Sequence, residues 1–441
     1  MAIQEDSTII IADDLTGAND TALQYFNTGI PAKVIIDSEY DFNSNEAENI
    51  GVWAFSTESR NLSKEEALVT IVETTKKLQD NLNTKNFYKK IDSTLRGNAG
   101  IEIIALLEIL KKDVAIVAPA YIEENRTTIG GYQLLNGIPI ERTQVALDPK
   151  SPITESFIPN ILKKDLNTQL HELIGTINFE TITKGAGPIT LKIKELVQKG
   201  KKIIITDAVS TVDLEQTALA INKSGYNVLP AGSAGLANAI NKINNNGMKH
   251  ICTIENFPPH ARLIVSGSAT QLTRNQIQKL CQEKDIFCID LKTKDIIERN
   301  KEYIGIICEK LKQNIDVVVH SSCITDEEMN TNQNLQDNLI DAGIPKNEFA
   351  GLITNYLSDL IQEINQKQNF VLIMIGGETS HKALKKIDSK YLHIINAILP
   401  AIPLCVDSNG KIIVTKSGNF GALNTLTEII NYFDKLKNEK I

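Results

Sequence analysis

Two adjacent carboxylates close the first apolar run of the chain. The segment TIIIADDLTGAND places Asp13 and Asp14 directly after three isoleucines, and Asp20 follows shortly after them. Aspartates in such a position can accept hydrogen bonds from the hydroxyls of a ligand, and one of them could serve as a general base. Asp14 could instead cap a helix that begins near Ala18.

Cationic and polar side chains follow two further apolar runs, in the segments FSTESR and KKIDSTLRGN. Each of them could be solvated or cap a helix, but together they suit a small, polyhydroxylated, anionic molecule, because arginine forks bind carboxylates in a bidentate manner. Asp14 is the candidate base, and Asp92 is its rival. The predicted substrate-binding residues are Asp13, Asp14, Arg60, Lys90, Asp92, Ser93 and Arg96.

Glycine-rich segments dominate the second half: SGSATQLTRNQ, GGETSHKAL and KSGNFGALNTL. Glycine lets the backbone approach a ligand closely, and helix N-termini point N–H groups at anions, so three such segments predict a phosphate cradle. None has the P-loop spacing or a dinucleotide fingerprint with a downstream acid, so a nicotinamide-dependent dehydrogenase is not supported. His381, within the second segment, is expected to pack or be solvated rather than to catalyse.

Short runs rich in Ile and Val alternate with helical patterns along the chain. In residues 63–82 the apolar positions recur near a 3.6-residue period, and Ser63 can form a capping box with Glu66. Continuous apolar strands separated by helices are typical of parallel sheets covered on both faces. We therefore predict an α/β protein of two domains, each a mostly parallel sheet flanked by helices, with a ligand cleft between them. The predicted strands are 7–12, 32–37, 50–56, 87–92, 114–120, 202–207, 262–267, 286–291, 315–321, 370–377 and 411–418.

An Asn-rich segment with Gly and Pro interrupts this alternation and predicts the domain boundary. The N-terminal domain is placed at 1–240, the linker at 241–261 and the C-terminal domain at 262–441. In open α/β sheets, ligands bind beyond the carboxyl ends of the strands. The polar and glycine-rich segments described above directly follow predicted strands, so they lie where a ligand is expected. One domain for an acidic polyol and another for a phosphate-rich ligand together indicate phosphoryl transfer.

Composition and charge exclude several other classes of protein. The chain has 441 residues and a net charge of −8, which argues against a general nucleic-acid binder. No apolar run reaches the ~18 residues of a membrane span, and the N-terminus lacks the features of a signal peptide, so a cytoplasmic protein is expected. The six cysteines show no CxxC or zinc spacing, and we expect buried thiols in a reducing compartment.

Six motifs occur in the order seen in the four-carbon acid sugar kinase family, which the chain resembles over nearly its whole length. They are ADDLTGAND, FSTESR, KKIDSTLRGN, SGSATQLTRNQ, GGETS and KSGNFGALNTL. The resemblance implies a sugar-acid-binding N-terminal domain and a nucleotide-binding C-terminal domain, and the use of ATP to phosphorylate the terminal hydroxyl of C4 sugar acids. It places Asp14, Arg60 and residues 90–93 at the sugar acid. The ATP contacts that it implies are Ser266 or Ser268, Gly376, Gly377, Glu378 and Thr379, and Gly418 or Gly421.

Residues 146–156, ALDPKSPITES, are similar to the threonate-type branch, and the His-Pro-Leu type segment of 3-oxo-tetronate kinases is absent. Two residues depart from the family pattern: Glu378 stands where many relatives have Asp, and Asn419 where Gly is common. The sequence thus predicts an ATP-dependent 4-kinase acting on D-threonate or D-erythronate.

Mg²⁺ is expected with the ATP, held mainly by phosphates and water, with Glu378 as one candidate ligand. The alternatives are a 3-oxo-tetronate 4-kinase and a non-catalytic sensor of sugar acid and nucleotide. The expected partners are the sugar acid and ATP, without nucleic acid or membrane, and a homodimer is one possible assembly.

Overall fold

The chain divides into two compact units in a computed structural model. The first comprises Met1–Val34 and Tyr40–Ile251, and the second comprises Ile35–Glu39 and Cys252–Ile441. Each unit is built on strands that are joined by helices. The structure describes residues 7–37, 39–40, 50–81, 84–148, 151–244, 260–268, 270–321, 339 and 343–438.

A mostly parallel sheet forms the centre of the first unit. The strands of this unit are β1 Thr8–Ala12, β2 Ala32–Ile35, β3 Val52–Ser56, β4 Asn86–Lys90, β5 Val114–Ala118, β6 Arg126–Ile129, β7 Tyr132–Leu135, β8 Ile138–Pro139, β9 Ile174–Ile177, β10 Ile203–Thr206 and β11 Val228–Gly232. Within this unit the sheet runs β2-β3-β1-β4-β11-β5-β10-β9. Every pair from β3 to β9 in that order is parallel, which confirms the predicted fold class.

Helices connect these strands. They are α1 Leu15–Phe26, α2 Lys64–Asn81, α3 Ala99–Ile109, α4 Ile158–Lys164, α5 Phe179–Ile182, α6 Ala186–Gln198, α7 Thr211–Lys223 and α8 Ala234–Asn244. Helix α2 begins at the predicted capping box: Ser63 Oγ accepts from the Glu66 N–H at 3.3 Å, and Glu66 Oε2 accepts from the Ser63 N–H at 3.0 Å. The box satisfies amide donors that the first turn of a helix otherwise leaves unpaired.

The isoleucines of β1 lie at the centre of the sheet. Ile9, Ile10 and Ile11 are almost completely buried because β1 has a neighbour on each side and both faces are covered. This explains the continuous apolar run, since a strand with two covered faces does not alternate between apolar and polar residues.

The carboxyl ends of five neighbouring strands lie level with one another. Ala12 of β1 pairs with Ser56 on one side and with Lys90 on the other. Gly232 pairs with Lys90 and with Ala118, which extends the same row across β11 and β5. The residues that follow these strands therefore meet at one edge of the sheet.

A small antiparallel sheet of β6, β7 and β8 was not predicted. Its turns lie at Gly130–Gly131 and at Asn136–Gly137, and all four residues have φ between 53° and 77°. The sequence does carry this signal, since Gly-Gly and Asn-Gly between short apolar runs favour two-residue hairpin turns.

The second unit contains another mostly parallel sheet. Its strands are β12 Arg262–Ser266, β13 Phe287–Asp290, β14 Val317–His320, β15 Val371–Ile375, β16 Tyr391–Leu399, β17 Ile402–Asp407 and β18 Ile412–Lys416. Its helices are α9 Gln271–Glu283, α10 Thr293–Ile297, α11 Glu302–Lys312, α12 Lys346–Asn365, α13 Gly377–Lys386 and α14 Thr425–Asn438. The order is β13-β14-β12-β15-β18-β17-β16, and the antiparallel hairpin of β16 and β17 was not predicted.

The predicted end of the first domain falls within a helix. Helix α8 continues to Asn244, past the end predicted for the first domain at residue 240, and positions 245–259 of the predicted linker lie outside the described residues.

In the part of the chain that the structure describes, no helix is both long and apolar enough to cross a membrane.

The expectation of buried cysteines is wrong for two positions. Cys308 and Cys405 are buried, but Cys281 is half-buried and Cys288 is exposed. Both exceptions lie toward one edge of the second sheet, at the end of α9 and on β13, where packing covers side chains less completely. Cys252 and Cys323 fall outside the described residues.

Candidate active site

The Arg60 side chain joins the two carboxylates that follow β1. Its Nε and Nη2 donate to the two oxygens of Asp13 at 2.8 and 2.9 Å. Its Nη1 and Nη2 donate to the two oxygens of Asp14 at 2.8 and 2.6 Å. The fork explains how two like charges can lie side by side at the end of a buried strand, because one guanidinium serves both.

Asp14 is also the N-cap of helix α1. Its Oδ1 accepts from the Gly17 N–H at 2.9 Å, and its Oδ2 accepts from the Thr16 hydroxyl at 2.6 Å. A Cβ at position 17 would lie only 2.6 Å from Asp14 Oδ1 and 2.8 Å from Lys90 Nζ. Glycine is therefore needed at this turn, and the capping role and the site role of Asp14 coexist.

A second arginine orders the loop after β4. Arg96 donates to Asp92 through Nε at 2.8 Å and through Nη2 at 3.1 Å, and the Thr94 hydroxyl also donates to Asp92. The remaining nitrogen, Nη1, donates to Asp148 Oδ2 at 2.8 Å. The predicted threonate-type segment 146–156 thus contacts the cluster directly.

These contacts keep Asp14 and Asp92 ionised at neutral pH. Burial by itself raises the pKa of Asp14, but Arg60, Lys90 and the Thr16 hydroxyl outweigh it and lower that pKa below its usual value. The pKa of Asp92 lies well below its usual value for the same reason, because Arg96 and Arg60 overcome the effect of burial. The surrounding carboxylates in turn raise the pKa of Arg60, although burial opposes them.

Lys90 differs from the two arginines. Its ammonium is buried and donates to the Ile91 carbonyl at 2.9 Å, and Asp14, Asp20 and Asp92 are near enough to interact with its charge. An ammonium has three donors, so Lys90 keeps hydrogen-bonding capacity for an anion, whereas Arg60 already serves the protein's own carboxylates. The expectation that Arg60 contacts the ligand stays a prediction, and Lys90, which was also predicted to contact the ligand, is a second candidate cation for it.

The last of the predicted substrate residues, Ser93, is buried beside Asp92, and its carbonyl accepts from Gln133 Nε2 at 2.7 Å. A cavity of about 450 Å³ adjoins the cluster. Arg60, Arg96 and residues 151–155 contribute to its walls. Space for a small ligand therefore lies between the cationic loops and the threonate-type segment.

Asp20 and Tyr121 join the same edge, and neither was among the predicted site residues. Asp20 Oδ1 accepts from the Tyr121 hydroxyl at 3.0 Å and from Gln24 Nε2 at 3.2 Å. Burial raises the pKa of Asp20 to about 7, although Lys90 and these hydrogen bonds oppose the rise. Tyr121 could have been found from its place just after a predicted strand.

Asp20→Asn is expected to change how the stability of the first unit depends on pH. The pKa of Asp20 is about 7 in the folded state against 3.8 for the exposed carboxyl of the unfolded chain, so the folded state holds the extra proton between these values and stability falls as pH rises through them. Asparagine removes this titration. Relative to the parent, the variant should gain up to about 4 kcal/mol between pH 4 and pH 7.

Denaturant unfolding followed by Trp53 fluorescence measures this change, because Trp53 is the single tryptophan and is fully buried on β3. A difference between variant and parent that stays constant over this pH range would contradict the prediction. Asp80→Asn, at an exposed position of α2, is the control for loss of a surface carboxylate.

In the second unit, three of the glycine-rich loops pack against one another. Ser266 pairs with Ile375, and Ile375 pairs with Lys416, so β12, β15 and β18 end level. A Cβ at Gly267 would lie 2.2 Å from Thr379 Oγ1, and one at Gly418 would lie 2.2 Å from Ser268 Oγ. The loops approach so closely that only glycine fits at these two positions.

Hydroxyl and amide side chains of α9 and of its N-cap residue hold the third loop, which follows β18. Thr270 and Thr273 donate to the Gly418 carbonyl at 3.0 and 2.9 Å. Gln276 donates through Nε2 to the Ala422 carbonyl at 2.8 Å. Asn419 has no positive φ, so this loop accommodates asparagine where relatives have glycine. The sequence did not indicate these helix contacts.

The N-terminus of α13 faces the same loops. Gly376 precedes it with a φ of 109°, which favours glycine, and Gly377, Glu378 and Thr379 form the first turn. Such a turn presents unpaired N–H groups that suit a phosphate. Gly421, which is predicted to contact ATP in the loop after β18, also has a positive φ, of 87°.

Further polar side chains lie close by. Lys416 is buried at the end of β18, and its ammonium donates to the Ser417 carbonyl at 2.8 Å. Glu378 Oε1 lies 3.4 Å from Lys382 Nζ. Burial, with Lys385 and Lys382, lowers the pKa of His381 to about 4, so its imidazole is neutral at pH 7. Among the described residues, no group of three or more His, Cys, Asp or Glu could hold a metal ion.

Comparisons with known proteins agree with the two units. A family model described as a sugar-binding N-terminal domain matches residues 8–240, and one described as a nucleotide-binding C-terminal domain matches residues 263–426. Solved structures of a Salmonella typhimurium protein (TM-score 0.77, 20% identity, 96% of this chain and 98% of that one) and a Haemophilus influenzae protein (TM-score 0.69, 23% identity, 96% and 100%) are similar in fold.

Three relatives of named activity match over nearly their whole lengths. The D-threonate kinase of Salmonella typhimurium is 26% identical over 97% of this chain and 98% of that protein. The D-erythronate kinase of Heliobacterium modesticaldum is 27% identical over 98% of each. The 3-oxo-tetronate kinase of Actinobacillus succinogenes is 26% identical over 93% of this chain and 96% of that protein. The chain therefore belongs to the four-carbon acid sugar kinase family.

Proposed function

We propose that this protein transfers the γ-phosphate of ATP to the 4-hydroxyl of a four-carbon sugar acid, with D-threonate or D-erythronate as substrate. The observation that carries the proposal is the cluster at the ends of β1, β3 and β4. There a buried ammonium with spare hydrogen-bond donors lies beside carboxylates that two arginines keep ionised. This combination suits a ligand that has both a carboxylate and hydroxyls.

Lys90 is assigned to the carboxylate of the sugar acid, and Asp14 is assigned to its 4-hydroxyl. In the proposed reaction the O4 lone pair attacks the γ-phosphorus, the bond from phosphorus to the β–γ bridging oxygen breaks, and ADP leaves. The O4 proton passes to Asp14. Because phosphoryl transfer has a loose transition state, a weakly basic carboxylate that positions the hydroxyl is sufficient, and a raised pKa is not required.

ATP is assigned to the three packed loops of the second unit. The first turn of α13, at 376–379, offers N–H groups to the phosphates, and the Ser266–Ser268 and Gly418–Gly421 loops supply close backbone approach. Mg²⁺ fits this donor set as a companion of the nucleotide, with Glu378 as the acidic side chain within the loop, and when bound it offsets charge on the β- and γ-phosphates.

The choice among C4 acids is assigned to the segment at 146–156. Asp148 pairs with Arg96, and the Ser151 hydroxyl donates to Asn61 Oδ1 at 3.0 Å, so this segment is fixed against the loops that carry Arg60 and Arg96. Its similarity to the threonate-type branch favours D-threonate or D-erythronate over a 3-oxo-tetronate.

An ADP-release assay across a panel of C4 sugar acids tests the proposal. We expect turnover with D-threonate or D-erythronate and a product that carries phosphate on C4, which phosphorus–proton NMR can establish. Turnover with a 3-oxo-tetronate alone would move the assignment to that branch. Tight sugar-acid binding by calorimetry without ADP release would indicate a sensor instead.

Gly418→Ala is expected to weaken ATP binding selectively. The new methyl group would lie 2.2 Å from Ser268 Oγ and so push two of the loops apart. We expect KM for ATP to rise about tenfold, equivalent to about 1.4 kcal/mol, with little change in KM for the sugar acid.

Gly305→Ala is the matched control for this variant. Gly305 lies on α11, where an added Cβ would meet no atom within 4 Å. Equal KM values for ATP in Gly418→Ala and in the parent protein would remove the third loop from the nucleotide site.

A further inference from the structure

Two cysteines and a histidine cluster at one side of the second sheet. Cys281 Sγ lies 3.0 Å from Cys288 Sγ, although the residues belong to different elements, α9 and β13. Both side chains are thiols, and Cys288 is exposed while Cys281 is half-buried. A small solute can therefore reach the pair, and the sulfur atoms are close enough to bond after a minor adjustment.

His320 lies beside the Cys288 thiol and can act as its base. Its Nε2 lies 3.5 Å from Cys288 Sγ, and its Nδ1 lies 3.5 Å from Asp290 Oδ1. Burial lowers the pKa of His320, Asp290 opposes this, and Lys292 and Arg274 lower it further. The imidazole is therefore neutral at pH 7 and can accept the thiol proton, while Asp290 orients the ring.

We propose that Cys281 and Cys288 form a redox-active dithiol, which a low-molecular-weight disulfide converts reversibly into an intramolecular disulfide with His320 as the base. The Cys288 thiolate attacks one sulfur of the small disulfide, a mixed disulfide forms, and one small thiol leaves. Cys281 then attacks the Cys288 sulfur, and the second small thiol leaves. The protein loses two electrons and two protons, and the small disulfide gains them.

Peptide mapping of the full-length protein tests this directly. The protein is equilibrated in glutathione buffers from fully reduced to fully oxidised, alkylated and digested with trypsin. Cleavage after Lys279, Lys284 and Lys292 separates the two cysteines onto peptides 280–284 and 285–292. The disulfide then appears as one linked species, about 2 Da lighter than the sum of its reduced peptides, and dithiothreitol abolishes it.

The outcomes are distinct and independent of kinase activity. Recovery of both cysteines in alkylated form from the fully oxidised buffer would overturn the proposal, and so would a bond from Cys288 to any other cysteine. Cys281→Ser should leave Cys288 with a glutathione adduct and no linked species. Cys308→Ser, a change at a buried cysteine of the same unit, should leave the linked species unchanged.

His320→Gln tests the proposed base. The variant should form the linked species about tenfold more slowly at pH 7, with the difference vanishing near pH 9, where a thiol ionises without help. Its final yield in the oxidised buffer should equal that of the parent. An unchanged rate at pH 7 would remove His320 from the mechanism.

Discussion

Replacing Asp14 with asparagine is expected to lower kcat by about 10²–10⁴-fold, the range in which a positioned proton acceptor contributes. Asparagine is as good an N-cap as aspartate, so helix α1 should persist. The Gly17 N–H, which donates to Asp14 Oδ1, can still donate to the amide oxygen, and the Thr16 hydroxyl, which donates to Oδ2, can instead accept from the amide nitrogen. A large loss of turnover would therefore report the missing negative charge rather than a lost fold. Steady-state kinetics, together with Trp53 fluorescence as a check on folding, measures the effect.

Two further variants separate Asp14 from its neighbours. Asp13→Asn changes the carboxylate on the other arm of the Arg60 fork, and it should reduce turnover less, because Asp13 supports the loop. Asp92→Asn changes the rival base. Full activity in Asp14→Asn combined with a large loss in Asp92→Asn would move the proton acceptor to Asp92.

Arg60→Met is expected to destabilise the first unit by about 3–5 kcal/mol, the usual effect of removing one partner from a buried ion pair. The Arg60 side chain is 13% exposed and donates to all four oxygens of Asp13 and Asp14. Methionine nearly keeps the volume of the side chain but leaves two buried carboxylates without the fork. Activity should fall as well, because the carboxylate assigned to the substrate hydroxyl loses its orientation.

The lowered pKa of Asp14 determines how the loss of stability in Arg60→Met changes with pH. The pKa of Asp14 is lowered in the folded parent, so its contribution to stability is present above the unfolded pKa of 3.8 and is lost as pH falls through the folded value. The deficit of Arg60→Met should therefore be largest at neutral pH and shrink as pH falls below about 4, because the Asp14 carboxyl is then protonated first in the unfolded chain and, at lower pH, in the folded parent as well.

Denaturant unfolding followed by Trp53 fluorescence isolates the unit concerned, since two units can unfold in separate transitions. Arg60→Lys is the matched control. It keeps the charge but cannot form the fork, and it should lie between the parent and Arg60→Met. A free energy of unfolding for Arg60→Met within about 1 kcal/mol of that of the parent would mean that the fork contributes little net stability.

Local patterns in the sequence predicted strands β1 to β5 and β10 of the first unit, but not β6 to β9 or β11. The run Ile9–Ile11 predicted a buried central strand, and Ser63 with Glu66 predicted the start of helix α2, because burial on both faces and helix capping depend on neighbours in sequence. The sequence also indicated which residues follow the strands. In-register parallel strands then bring these residues to one edge without further information.

Which side chains pair with one another was decided only by the tertiary structure. Lys89 and Lys90 are adjacent in sequence, yet Lys89 forms a buried ion pair with Glu102 of α3 at 2.5 Å, while Lys90 points to the opposite face, at the cluster. The alternation of side chains along a strand separates the two lysines, but the sequence does not say which face carries the site.

The same holds for Arg60, which the sequence offered as a clamp for the ligand. Its fork is taken by Asp13 and Asp14, which lie more than forty positions away in the chain and reach it only because β1 and β3 are neighbours in the sheet. The sequence by itself thus determined the fold class and the set of polar residues at the sheet edge. The tertiary structure decided their partners, because each charge buried at that edge is stabilised by whichever opposite charge the strand order places beside it.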